Sequence, residues 1–126
     1  MMRVLLDTHT FIWAVTNDPA LTQKGRDIIV DAQAVYVSAA SIWEIAIKAR
    51  LGKINADPAM MWGAIDKSGF QELPIRAAHT VGVSQLPLHH NDPFDRLLVA
   101  QAISEQFVLL TLDALLPPYG KCILRF

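Results

Sequence analysis

The chain has 126 residues, 11 Lys plus Arg against 12 Asp plus Glu, and 52% hydrophobic residues. That length fits one domain, and the apolar content excludes both a disordered chain and a Glu/Lys-rich coiled coil. The formal charge of −1 excludes nucleic-acid binding by bulk electrostatics, so any such contact requires a local patch or metal ions over an acidic site.

Arg3-Val4-Leu5-Leu6 is a short apolar run stopped by Asp7-Thr8. It reads as a buried strand feeding a helix that Asp7 or Thr8 can cap. That helix continues over Phe11 to Thr16 and ends at Asn17-Asp18-Pro19. Leu21 to Ala32 sets Leu21, Ile28 and Ile29 among charges, the pattern of an amphipathic surface helix. Val35-Tyr36-Val37 is β-branched and aromatic, a short strand. Ser38 begins a helix through Lys48 that is apolar nearly all round, and it is expected to be largely buried; Leu51-Gly52-Lys53 closes it. Asp57-Pro58 opens a helix over Ala59 to Lys67, ended by Gly69. Phe70 to Ile75 reads as a strand, and Ala77 to Gln85 as a short helix. After the loop Leu86–Pro93, with Asp92 as N-cap and Pro93 in the first turn, a helix runs from Phe94 to Gln106. Phe107 to Thr111 is a strand that stops near Asp113, Pro117-Pro118-Tyr119-Gly120 is a turn, and Cys122 to Phe126 is a last strand. This alternation predicts an α/β domain over residues 1–126, with a mainly parallel sheet and helices on both faces.

The longest apolar runs fall far short of the ~20 residues a spanning helix needs. Asp7 interrupts the first apolar run before any secretory pattern develops. The single cysteine, Cys122, excludes an internal disulfide framework and a cysteine zinc site, and it reads as a small buried hydrophobe. The expected compartment is the cytoplasm.

Strands of a parallel sheet leave at one edge, where α/β proteins bind ligands. Three strand exits carry acids or capping residues: Leu6 to Asp7-Thr8, Val37 to Ser38 with Glu44 in the helix that follows, and Leu110 to Thr111 and Asp113. Asp95 falls in the first turn of a helix that can start at the same edge. Several carboxylates gathered there repel one another unless a divalent cation joins them. Hard oxygen ligands favour Mg²⁺ or Mn²⁺, and such ions support phosphodiester cleavage. Each acid also has a structural role available. Asp7 and Asp92 can be helix caps, Asp95 suits the helix dipole, Asp113 can be a turn residue, and Glu44 stands three after Ser41 in capping-box spacing. Glu44 nevertheless lies inside an apolar helix, where an unpaired carboxylate is costly.

His89-His90-Asn91-Asp92 lacks the companions of a zinc site, so the histidines are expected to contact water or substrate. Lys48, Arg50 and Lys53 read first as a solvated helix end, and also as phosphate contacts. Arg96 suits a phosphate contact or an ion pair equally. Trp13, Trp43 and Trp62 read as core or interface residues rather than base-stacking platforms.

Four segments, Leu5-Leu6-Asp7-Thr8-His9, Val37 to Lys48, Leu86 to Leu98 and Thr111-Leu112-Asp113, together resemble PIN-domain proteins. More narrowly, they resemble the VapC-type toxins of bacterial toxin–antitoxin pairs. The likeness runs over essentially the whole chain in order, and Asp-Pro-Phe-Asp-Arg and Ser-x-x-Glu-Ile are its specific motifs. It implies a three-layer α/β/α domain with a Mg²⁺- or Mn²⁺-dependent endoribonuclease site. By position, Asp7 and Asp95 would be the main metal ligands. Glu44 would be a second acid that binds metal directly or through water, and Asp113 the last acid. Asp92 would be an extra acid nearby, and Thr8 and Thr111 would hold carboxylates or waters. The segment after Asp113, Ala114-Leu115-Leu116-Pro117-Pro118, is more apolar than the resemblance leads one to expect. Partners implied are an RNA substrate, a cognate antitoxin whose tail enters the acidic groove, and a second copy in a homodimer. Two further readings stand beside this one: a PIN-type RNA-processing nuclease without a toxin role, and a non-catalytic α/β interaction module whose acids are helix caps.

Overall fold

The computed structural model describes residues 2–126. Its elements follow in the order β1 (Arg3–Leu6), α1 (Thr8–Thr16), α2 (Gln23–Asp31), β2 (Ala34–Ser38), α3 (Ala39–Arg50), α4 (Pro58–Lys67), β3 (Gln71–Leu73), α5 (Ala77–Val83), α6 (Pro93–Glu105), β4 (Val108–Thr111) and β5 (Ile123–Arg125). The sheet has strand order β3-β2-β1-β4-β5, and every pair is parallel. The expected mainly parallel sheet is therefore parallel throughout.

Alternation along the strands builds two cores. Leu5, Tyr36, Leu109 and Ile123 face Leu97, Leu98, Val99 and Ala102 of α6 and Val83 of α5. Val4, Leu6, Val35, Val37, Leu110 and Leu124 face Phe11 and Ile12 of α1, Ile28 and Ile29 of α2, Ile45 of α3 and Ile65 of α4. The period of two places successive strand residues on opposite layers, giving a three-layer α/β/α domain.

Local chemistry sets the element ends. Asp7, Thr22, Ser38, Asp57 and Asp92 accept backbone N–H bonds as N-caps of α1, α2, α3, α4 and α6. Gly52 and Gly69, at φ +72° and +76°, supply the left-handed turns that release the chain after α3 and α4. No helix among the described residues is long and apolar enough to cross a membrane.

One expectation is corrected. The α3 helix is not largely buried: Trp43 is 56% exposed and Ile47 38%. The helix is apolar nearly all round, but β2, α1, α4 and α6 pack against only part of it, and Trp43 and Ile47 meet solvent. Trp62 on α4 is also exposed, at 62%, so Trp43 and Trp62 are not core residues. Trp43 packs edge-on to Phe94 with ring centroids 5.1 Å apart.

Candidate active site

The strand order places β1 and β4 side by side where the chain reverses its direction across the sheet. Such a switch point opens a crevice beyond the strands' carboxyl ends. Asp7 leaves β1 there. Thr111 ends β4 at the same edge, with Asp113 two residues on. The α6 helix begins at this edge as well and brings Asp95 in its first turn. A cleft of about 330 Å³ results, lined by Asp7, His9, Trp13, Asp95, Leu112 and Asp113.

Asp7 is held at both carboxylate oxygens. Its Oδ1 accepts from the Thr10 N–H at 2.9 Å, and its Oδ2 accepts from the Thr111 hydroxyl at 2.6 Å. The cap role open to Asp7 is thus real, and the same carboxylate also borders the cleft. Burial pushes the Asp7 carboxyl up from 3.8, and the bonds from Thr10 and Thr111 oppose that push.

Asp95 receives no protein hydrogen bond of this kind among the described residues; His90 Nε2 lies 3.4 Å from its Oδ2. Burial first, then the like charges of Asp92, Asp7 and Glu44, push Asp95 from 3.8 to about 7. Burial and crowding by neighbouring acids thus act in the same direction on Asp95.

His90 links two of the acids. Its Nδ1 accepts from the Asp92 N–H at 3.0 Å, which leaves Nε2 as the donor to Asp113 Oδ2 at 2.8 Å. One ligand atom each from His90, Asp95 and Asp113 lies within 4.8 Å of the others. His90 therefore faces carboxylates, where the sequence led us to expect water or substrate. Its role was hidden because the link to Asp113 spans 23 residues.

Asp7, Glu44 and Asp92 stand outside that group of three, although Asp7 borders the same cleft. Glu44 accepts from the Thr8 hydroxyl at 2.6 Å on Oε1 and from the Lys48 ammonium on Oε2. Asp92 caps α6, its Oδ1 accepting from the Asp95 N–H at 3.0 Å. The capping alternative for Glu44 is not realised, because Ser38 and not Ser41 caps α3.

Two basic residues are corrected. Lys48 is not a solvated helix end, since it is paired with a buried acid. Among the described residues Arg96 forms no ion pair. Its guanidinium donates to the carbonyls of Pro87, Val83 and Leu86 and to the Tyr119 hydroxyl, stapling the loop that carries His90. His9 and Trp13, one helical turn apart with ring centroids separated by 5.9 Å, also line the cleft. The i, i+4 spacing after Asp7 was the available signal for them. Cys122 is half-buried rather than sealed, and burial raises its thiol.

The donor set fits a hard divalent ion. Asp7, Asp95 and Asp113 offer carboxylate oxygens into one cleft, and no thiolate accompanies them.

The PIN domain family model matches residues 4–119. Among curated protein sequences none matches the chain. The chain is similar in structure to VapBC2 from Rickettsia felis bound to a DNA fragment from their promoter, with TM-score 0.71, 14% identity, and coverage of 99% of this chain and 98% of that one. It is similar to DNA-bound VapBC from Salmonella typhimurium at TM-score 0.66 and 17% identity, covering 99% and 98%. It is also similar to a toxin–antitoxin complex from Klebsiella pneumoniae at TM-score 0.64 and 14% identity, covering 96% and 95%.

Proposed function

The chain belongs to the PIN domain family, and on that premise we propose that it is a Mg²⁺- or Mn²⁺-dependent endoribonuclease acting as the toxin of a toxin–antitoxin pair. The observation that carries the reading is the convergence of Asp7, Asp95 and Asp113, from three separate chain segments, on one cleft at the switch point of the sheet. Asp95, raised to about 7 by burial first and by Asp92, Asp7 and Glu44 after it, supports the reading, because a cation bound among these acids would favour their charged forms.

In this reading Asp95, Asp7 and Asp113 would hold the ion, and Glu44 would bind it directly or through water. Bound there, the ion supplies an activated water and stabilises the entering and leaving oxygens of the phosphodiester. The protein's own groups prepare the site. Thr111 and the Thr10 N–H fix the plane of the Asp7 carboxylate. His90 Nε2 holds Asp113 turned toward Asp95. Thr8 and Lys48 satisfy both oxygens of Glu44 on a mostly apolar helix. Arg96 anchors the loop from which His90 reaches in.

The toxin role, an antitoxin partner and a homodimer are carried over from the resemblance. The toxin–antitoxin complexes among the structural neighbours and the exposed Trp43, Ile47, Leu51, Met60 and Trp62 support them. Asp7→Asn and Asp95→Asn proteins assayed on RNA with Mn²⁺ test the reading. Cleavage at the wild-type rate by either variant refutes it. Growth arrest on induction, without a partner gene present, separates a toxin from an RNA-processing nuclease.

A further inference from the structure

The lining of the cleft is of two kinds. Asp7, Asp95 and Asp113 are acids, whereas His9, Trp13 and Leu112 contribute two aromatic rings and an aliphatic chain. His9 and Trp13 stand one turn apart on α1, the helix that Asp7 caps. Thr8, Thr10 and Phe11 of the same helix are buried, whereas His9 is exposed and Trp13 half-buried. Phe11 belongs to the core on that side of the sheet, and Trp13 belongs to neither core. The reading of Trp13 as a core residue therefore fails. Its aromatic neighbours are His9, at 5.9 Å and tilted by 48°, and Phe126, at 6.5 Å and edge-on. Phe126 packs against the core, so it holds the indole at the cleft. A ring tilted by 48° does not cover the indole as a stacked ring would.

Charge gives this aromatic pair its meaning. No lysine or arginine lines the cleft. Arg96 is anchored on backbone carbonyls and Tyr119, and Lys48 is bonded to Glu44. Arg125 donates its Nε–H to the Leu112 carbonyl and is not part of the lining. A phosphate backbone entering the cleft meets three carboxylates, and a bound ion would offset them only where it sits. The rest of the grip on an RNA must come from its uncharged parts. Base faces are the part that aromatic side chains hold, and a base must leave its helix to be stacked in this way. We propose that Trp13, with His9 beside it, is the stacking platform for an unpaired base next to the scissile phosphate, so that the cleft selects single-stranded RNA by its bases rather than by its charge. This inference rests on the nuclease reading above and makes Trp13 a specificity-determining residue of the same site.

A pool of single-stranded RNA oligonucleotides incubated with the full chain and Mn²⁺ supplies a cleaved sequence, which is then remade with one abasic nucleotide at each position in turn. In the wild type, one abasic position beside the cut is expected to lower kcat/KM by about 10-fold or more. Trp13→Leu is expected to lose a similar factor on the intact RNA and nothing further at that abasic position, whereas Trp13→Phe keeps the wild-type sensitivity to it. The same RNA annealed to its complement should be cut at least about 10-fold more slowly. Three results overturn the inference: Trp13→Leu at the wild-type kcat/KM, a Trp13→Leu loss that multiplies with the abasic loss, or equal cleavage of the duplex. A merely structural role for Trp13 gives the second of these. Should Trp13→Leu fail to fold, His9→Ala, at an exposed position, goes through the same cycle with the same expectation at the same abasic position. A wild type that cleaves no RNA with Mn²⁺ overturns the nuclease reading itself, and is distinguished from the other failures by the absence of any product.

Discussion

Two buried polar clusters lie at α6, and they differ in how completely their groups are satisfied. Near its middle, Gln101 is fully buried. Its Oε1 accepts from the Ser38 hydroxyl at 2.6 Å, and its Nε2 donates to the Pro74 carbonyl at 3.3 Å. His79 beside it accepts the Arg76 N–H on Nδ1 at 3.0 Å and meets Glu105 through Nε2 at 3.0 Å. Ser38 in turn accepts the Ala40 N–H at 3.0 Å. Every side chain in this knot has a partner, and it ties β2, α5 and α6 together. At the first turn of the same helix, Asp95 sits among Asp92, Asp7 and Glu44 with its carboxyl pushed to about 7. A satisfied network stabilises a fold; an uncompensated one lowers stability and is retained where a ligand completes it. The contrast separates residues that hold the molecule together from residues whose carboxylates crowd one another at the cleft.

The sharpest break between the clusters is in activity. Asp95→Asn or Asp7→Asn is expected to lower RNA cleavage by about 10³-fold or more, on the scale of losing a metal-borne electrostatic term. Gln101→Leu is expected to leave cleavage per folded molecule unchanged. Rates normalised to the folded fraction check both, and a Gln101→Leu protein as inactive as Asp95→Asn would merge the two regions.

The second expectation concerns stability without metal. Asp95 rises from 3.8 in the unfolded chain to about 7 in the folded one. The folded state therefore binds the extra proton, and its stabilising contribution is complete below about pH 3.8 and lost as pH rises through about 7. Asp7 is displaced in the same direction. Metal-free Asp95→Asn should accordingly be more stable than wild type above pH 7, by up to about 4 kcal/mol. That gap should shrink toward pH 4, and saturating Mn²⁺ should close or reverse it by stabilising the wild type alone. Thermal melts at pH 4 and pH 8, with and without Mn²⁺, check the sign.

In the satisfied knot the same kind of change has the opposite effect. Gln101→Leu should destabilise by about 2–3 kcal/mol at either pH, because it removes the acceptor of the Ser38 hydroxyl and the donor to the Pro74 carbonyl. Denaturant midpoints measure it. The smallest effect belongs to neither region: Trp43→Ser, at an exposed site, should change stability by about 0.5 kcal/mol or less. If Trp43 belongs to a partner surface, the same variant should weaken antitoxin binding or self-association in a pull-down or sedimentation assay.

The sequence determined the secondary structure and its caps, because those depend on neighbours along the chain. Asp7, Ser38, Asp57 and Asp92 cap where their spacing to the next apolar run says they should, and the two-residue period of Val4–Leu6 and Val35–Val37 places those strands between two helical layers. The sequence placed Asp7, Glu44, Asp95 and Asp113 at one edge of the sheet, and the side-by-side setting of β1 and β4 gives Asp7, Asp95 and Asp113 a shared cleft. The tertiary structure alone decided that α3 exposes Trp43 and Ile47, because a helix apolar all round does not encode which side the sheet leaves uncovered. It also decided that Lys48 closes on Glu44, that Arg96 staples a loop and that His90 joins two acids. Side-chain charges choose partners by proximity in space, and burial at the switch point of the sheet fixes both that proximity and its electrostatic strength.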